Sequence, residues 1–272
     1  MSQITTILRG AQKTYETPVL FQSAGAWVRQ ALAEAGFSEG VVETAGDNVL
    51  LIGAPCPELT AAEYQRLAES HLAIGADFTV FATHMPPRDA DDRITRLAPD
   101  TIPVVCARRE ALSALPEGDL ISAVGQAMAA GKTVEAVLSE PVVPVVDGMT
   151  AFEAQKRLCA RINMRHIAAG VQIFAPDSVY IAPDARIGAG TVILPGTIIR
   201  AGCTIGAGCT IGPNSLLEKA TVGDRVFTAA GTTVTKDVPD GALAVARARQ
   251  VNLEGWNDKR RARMAGEKDG DK

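Results

Sequence analysis

An isoleucine recurs at every sixth residue through the run IAPDAR IGAGTV ILPGTI IRAGCT IGAGCT IGPNSL. Ile181, Ile187, Ile193, Ile199, Ile205 and Ile211 keep this step without a slip. A strand repeats every second residue and a helix about every 3.6, so neither alone produces the pattern. Short flat strands joined by sharp corners do, with one corner per six residues. Three such blocks close a triangular coil, and coils stack at the strand spacing of about 4.8 Å. The run therefore predicts a hexapeptide β-helix.

Such a prism needs a large and a small ladder on its inside. The large one runs from Ile181 through Ile211 to Leu217. Four residues after each large position lies a small one: Ala185, Thr191, Thr197, Cys203, Cys209, Ser215 and Thr221. Gly188, Gly190, Gly196, Gly202, Gly206, Gly208 and Gly212 serve the turns. The step drops to five between Leu217 and Val222 and resumes through Thr228 to Val234. That makes a little over three coils, a stack on the order of 15 Å tall. So short a stack has exposed faces and strand edges, which packing of three copies side by side would cover. Cys203 and Cys209 fall on the small ladder and are expected to be packing residues.

The preceding half has other periods. Residues 24–36, AGAWVRQALAEAG, have helical spacing. Residues 48–53 read as a buried strand ending on glycine, and residues 78–82 and 101–106 as two more. Thr60 to Ala73 reads as a helix with Thr60 as N-cap and Glu63 at the capping-box position. Asp119 to Ala130 reads as a helix closed by Gly131. Strands alternating with helices predict an α/β unit with a largely parallel sheet. Residues 134–146, rich in valine and proline, read as an extended connector. Thr150 to Ala169 then reads as one helix, with Phe152, Leu158, Ile162 and Ile167 among its apolar positions and Gly170 closing it. The expected divisions are 1–149, 150–169, 170–240 and 241–272.

The totals narrow the function. The chain has 272 residues and a net charge of −4, which argues against a nucleic-acid footprint. The basic run Lys259-Arg260-Arg261-Ala262-Arg263 is expected to be a solvated end. No signal peptide and no membrane-spanning run is visible, and five cysteines show no paired spacing, so a cytoplasmic protein with reduced thiols is expected.

Two stretches carry a resemblance. AAGTTVTKDVPDGALAVARARQVNLEGW at 229–256 and RLCARINMRHIAAGVQIFAPDSVYI at 157–181 resemble the bifunctional family that joins N-acetylglucosamine-1-phosphate uridyltransferase to glucosamine-1-phosphate N-acetyltransferase. The resemblance is strong from residue 150 on and weaker before. It implies a degenerate nucleotidyltransferase-like, Rossmann-like α/β domain, a connector helix and a C-terminal left-handed parallel β-helix.

The family's first half opens with a glycine-rich loop whose backbone amides cradle a triphosphate. Here the stretch is Ile7-Leu8-Arg9-Gly10-Ala11-Gln12-Lys13, with one glycine, and no lysine follows Pro18. Ala54 stands where the family has a metal-binding aspartate, and Asp147 aligns with its later asparagine. A lone carboxylate is a poor Mg²⁺ site, so magnesium and uridyl transfer are not expected. In the second half the resemblance implies acetyl-CoA, with the Ala230 backbone contacting it and Arg247 meeting its phosphates. Lys236 and Arg249 would add charge there. The family's general-base histidine has no counterpart: His71, His84 and His166 all precede the β-helix. His166 is expected to be structural or solvent-facing. The implied activity is acetyl transfer to an amino-sugar phosphate or nucleotide sugar, by a homotrimer, with the catalytic residues unknown. The alternative is a non-catalytic relative acting as a binding, scaffold or regulatory subunit. A metal enzyme of the carbonic-anhydrase-like branch is excluded by a β-helix without histidine.

Overall fold

The computed structural model describes residues 4–41, 45–246 and 252–261. The first unit contains β1 (Thr5–Leu8), α1 (Gln12–Glu16), β2 (Pro18–Val19), β3 (Gln22–Ser23), α2 (Ala24–Glu34), β4 (Ser38–Glu39), β5 (Asn48–Ile52), α3 (Ala61–Ile74), β6 (Phe78–Ala82), β7 (Ile102–Arg108), α4 (Leu120–Ala129) and β8 (Val134–Leu138). Helix α5 (Gly148–Ala168) follows. The capping box at Thr60 and Glu63 forms as expected at the start of α3. Ser23 caps α2 by accepting the Ala26 N–H, and Asp119 caps α4 by accepting that of Ser122.

The sheet order is β4-β1-β5-β7-β6-β8. It is Rossmann-like but more mixed than the alternation predicts, because β7 runs antiparallel to both β5 and β6. The excursion from β6 to β7 carries no crossover helix, and a strand that returns without one can lie antiparallel to its neighbour. The extended connector at 134–146 also needs correcting. Its first five residues are β8, paired in parallel with β6 from Phe78↔Val134 to Ala82↔Leu138. Only the proline-bearing remainder lies outside a strand, with Val145 fully buried.

Helix α5 joins the two units through one apolar cluster. Ala151, Ala154, Leu158 and Ile162 share it with Val19 and Trp27 on one side and with the β-helix ladder on the other. Three arginines spaced by four residues pin the helix to separate segments. Arg157 donates to the Pro141 carbonyl (3.0 Å), Arg161 to that of Glu58 (2.5 Å) and Arg165 to that of Pro183 (2.8 Å). Phe152, read as an apolar position, is 56% exposed, with Lys156 over its ring.

The left-handed β-helix comprises β9 (Gln172–Ile173), β10 (Tyr180–Ile181), β11 (Arg186–Ile187), β12 (Val192–Ile193), β13 (Ile198–Ile199), β14 (Thr204–Ile205), β15 (Thr210–Ile211), β16 (Leu216–Leu217), β17 (Thr221–Val222), β18 (Phe227–Thr228), β19 (Thr233–Val234) and β20 (Leu243–Ala244). They form three parallel faces, β10-β13-β16-β19, β11-β14-β17 and β20-β18-β15-β12-β9. The stack is taller than the ladder count predicts, since β9 lies below β12 and β20 above β18.

The small ladder departs at one place. Thr221 is exposed, and Ala220 is buried in its stead. The residue missing between Leu217 and Val222 is lost at the corner before the small position, so that position moves forward by one. The same corner tightens again one coil later, where Val238 bridges to Val222 after only four steps from Val234. Cys203 and Cys209 are buried on successive faces, as packing residues.

Candidate functional site

The corner that follows β12, β15 and β18 stacks Pro195-Gly196, Pro213-Asn214 and Ala230-Gly231 in one column. The Asn214 N–H donates to Pro195 (2.9 Å) and the Gly231 N–H to Pro213 (2.9 Å), which fixes the column. Gly231 adopts a φ of +68°, and a Cβ there would meet no atom within 4 Å. Ala230 is exposed in this column, beside the strand pair β18–β20. Arg247 and Arg249 lie outside the described residues. Lys236 is exposed, but on the next corner, after β19.

The residues at the carboxyl end of β1 and β5 are packed into the fold. Gly10 sits so close to the end of β5 that a Cβ would overlap the Gly53 carbonyl. Tyr15 is buried behind it and donates its hydroxyl to the Ile52 carbonyl (2.9 Å), while burial pushes its pKa up. Val19, one residue after Pro18, is fully buried, and Trp27 donates its indole N–H to the Val19 carbonyl (3.0 Å). Ala54 is buried, and the Cys56 thiol beside it is fully buried and held neutral by that burial. Asp147 serves as the N-cap of α5. Its carboxylate accepts the Thr150 N–H (2.8 Å), which holds its pKa low. Among the described residues no group of three or more His, Cys, Asp or Glu side chains is placed to hold a metal. These residues do not fit a magnesium–nucleotide complex.

The histidines divide three ways. His71 is buried between the Thr79 hydroxyl (2.9 Å from Nδ1) and Asn48 Oδ1 (3.1 Å from Nε2), and desolvation, with Arg108 nearby, lowers its pKa to about 4. His84 is exposed beside Thr83 and Asp100. His166 is buried on α5, which makes it structural rather than solvent-facing, and burial lowers its pKa.

Glu58, which the sequence does not single out, is the hub between the β5 end and α5. Its carboxylate accepts the Val143 N–H (2.8 Å) and lies 3.8 Å from Arg157, and burial raises its pKa. Only the folded path of 141–146 across that turn reveals the role.

Residues 184–219 match the family model described as bacterial transferase hexapeptide (six repeats). The Bifunctional protein GlmU of Trichlorobacter lovleyi is 30% identical over 235 residues, covering 72% of this chain and 51% of that protein. The Bifunctional protein GlmU of Streptomyces griseus is 56% identical over 48 residues, covering 18% of this chain and 10% of its own. Among solved structures, 2-C-methyl-D-erythritol 4-phosphate cytidylyltransferase from Thermus thermophilus superposes with a TM-score of 0.42 at 15% identity, covering 59% of this chain and 100% of that one. This chain resembles the bifunctional GlmU proteins in sequence, and against the Trichlorobacter lovleyi protein it spans about half of the relative's length.

Proposed function

We propose that this chain is an acetyl-CoA-dependent acyltransferase acting on an amino-sugar phosphate or nucleotide sugar, with uridyl transfer lost. The observation that carries the reading is the exposed Ala230–Gly231 corner near the end of a hexapeptide prism, in a chain similar to GlmU over most of its length. In the reaction an amine would attack the thioester carbonyl. The C–N bond forms, the C–S bond breaks, CoA leaves as its thiol and the amine loses a proton. The backbone at Ala230 would hold the cofactor, and Arg247 would meet its phosphates.

One observation favours a second reading. The prism contains no histidine, so no imidazole stands ready to take the proton. A chain that binds the cofactor or a partner without turnover is consistent with that.

Three copies side by side suit the prism's surface. The outward residues of the faces are Tyr180, Ile198, Leu216 and Thr233 on one and Gln172, Val192, Thr210, Phe227 and Leu243 on another, but Arg186, Thr204 and Thr221 on the third. Phe227 and Leu243 are 51% and 63% exposed in the single chain. Two faces with an apolar majority and one polar face fit a closed ring of copies. A single species of monomer mass in sedimentation would overturn it. All five thiols are free and buried, as suits the reducing cytoplasm, and among the described residues no helix is long and apolar enough to cross a membrane.

The deciding experiment mixes the protein with acetyl-CoA and a panel of amino sugars, amino-sugar phosphates and amino-sugar nucleotides, following thiol release and thermal shift together. Release with a shift supports the transferase. A shift without release supports the binding subunit and overturns the transferase, and neither response leaves a scaffold.

A further inference from the structure

A cavity of about 660 Å³ opens in the first unit where β5 begins and β7 ends. Asp47, Asn48, Arg108, Arg109, Glu110 and Ser113 line it. A strand rises about 3.4 Å per residue, so the five residues of β5 set this opening about 17 Å from Gly53 and Ala54. Nothing proposed for the prism uses it.

The walls are fixed from the core. Buried His71 meets the Thr79 hydroxyl through Nδ1 (2.9 Å) and Asn48 Oδ1 through Nε2 (3.1 Å). With Oδ1 engaged by His71, Asn48 has its two N–H donors left for the cavity that it lines. Arg109 is clamped across the turn before β5. Its backbone N–H donates to the Asp47 carbonyl (2.8 Å) and its Nη1 to the Ala45 carbonyl (2.8 Å). Arg108 is committed elsewhere, donating to the Gly75 carbonyl at the end of α3 with Glu110 3.8 Å away.

The remaining charges point to an occupant. Arg109 and Asp47 are both exposed in the cavity. Among the described residues no carboxylate pairs with the Arg109 guanidinium, and no cation pairs with the Asp47 carboxylate. Opposite charges that share a cavity without meeting each keep a free binding direction. A molecule that carries both charges satisfies both at once. The guanidinium fork suits a carboxylate, and the Asp47 carboxylate suits an ammonium. The bond from the Arg109 N–H to the Asp47 carbonyl holds the origins of the two side chains together. That closeness suits charges borne on one carbon atom rather than at the ends of a long chain.

We propose that this cavity binds a small α-amino acid as its zwitterion, the carboxylate held by Arg109 and the Asn48 amide and the ammonium by Asp47. The lining carries two guanidinium groups and two carboxylates, so its formal charges cancel, as suits a ligand without net charge. A simple anion would gain from Arg109 and be opposed by Asp47.

The test is calorimetric titration of the full chain with L-alanine near neutral pH, with acetate and methylammonium as the two half-ligands. Saturable binding of alanine is expected, with either half bound about tenfold more weakly or worse, as the loss of one charge-assisted contact implies. Asp47→Asn and Arg109→Ala should each weaken alanine binding by about the same factor, with the circular dichroism of the fold unchanged. Should the loss of the Ala45 bond in Arg109→Ala prevent folding, Asp47→Asn decides, because it removes only the charge. No saturable binding at millimolar alanine, acetate bound as tightly as alanine, or alanine binding unaltered in Asp47→Asn overturns the proposal. Binding is read directly and involves no acetyl-CoA, so its failure and that of acyl transfer are separate results.

Discussion

The prism and the α/β unit solve the problem of a core in opposite ways. In the prism each buried side chain sits directly above and below another of the same kind, as Ile181, Ile199, Leu217 and Val234 do. Its corners are braced from coil to coil, as where Asp224 accepts the Ala207 N–H and donates its own to Asp240. In the α/β unit, layers of helix and sheet meet with room for individual exchange. Val19 and Ala54 are buried there at positions where the resembling family places a lysine and a metal-binding aspartate. The contrast teaches that a translational repeat protects its geometry residue by residue, whereas a layered core can exchange individual side chains and keep its shape.

The largest effect is expected in the prism. Ile199→Ala should cost about 2–5 kcal/mol, towards the upper end, because the rungs on either side are held at strand spacing and cannot close the gap. Denaturant unfolding measures it, and a cost below that of Leu50→Ala in the other unit would break the contrast.

The second effect belongs to the α/β unit. His71 is neutral in the fold, with a pKa near 4 against 6.5 for the free side chain. Above pH 6.5 neither state holds that proton, and the stability is fully present. As the pH falls towards about 4 the unfolded chain takes up the proton and the fold does not, so about 3 kcal/mol should be lost. Thermal melts across that window should be flatter for His71→Gln than for the wild type.

The two smaller effects have opposite signs. At Gly206 a Cβ would lie 2.7 Å from the Asp224 backbone nitrogen, so Gly206→Ala should destabilise by about 1–3 kcal/mol. Gly125→Ala fills open space within a helix and should stabilise by about 0.5–1 kcal/mol. Urea midpoints of both variants suffice, and the same sign for both would remove the distinction between braced and open glycines.

Much of this was legible before any coordinates, and the reasons differ by region. The isoleucine ladder names its own fold because position modulo six fixes what faces inwards. The Thr60–Glu63 box and the Asp119–Gly131 helix are local, so short-range chemistry announces them. The direction of β7 was not legible, because it depends on the connection between two strands rather than on either strand. Strand β8 was masked by the prolines that follow it. Counting in sixes put Thr221 inside because the count cannot tell on which side of a small residue a corner has shortened. The chemistry was least legible: Tyr15 and Glu58 look like ordinary residues until the segments that cover them are in place.

The corner between Glu218 and Lys219 is also a guide for engineering. The path from one rung to the next takes six steps from Ile199 to Ile205, five from Leu217 to Val222 and four from Val234 to Val238, yet the strands on both sides stay in register. Length at this edge is not a property the prism measures. Lys219 already turns with a positive φ of 48° and points no side chain into the core. A peptide tag or a small folded domain spliced in after Glu218 would leave the ladder uninterrupted, carried on the outside like a label on a spool.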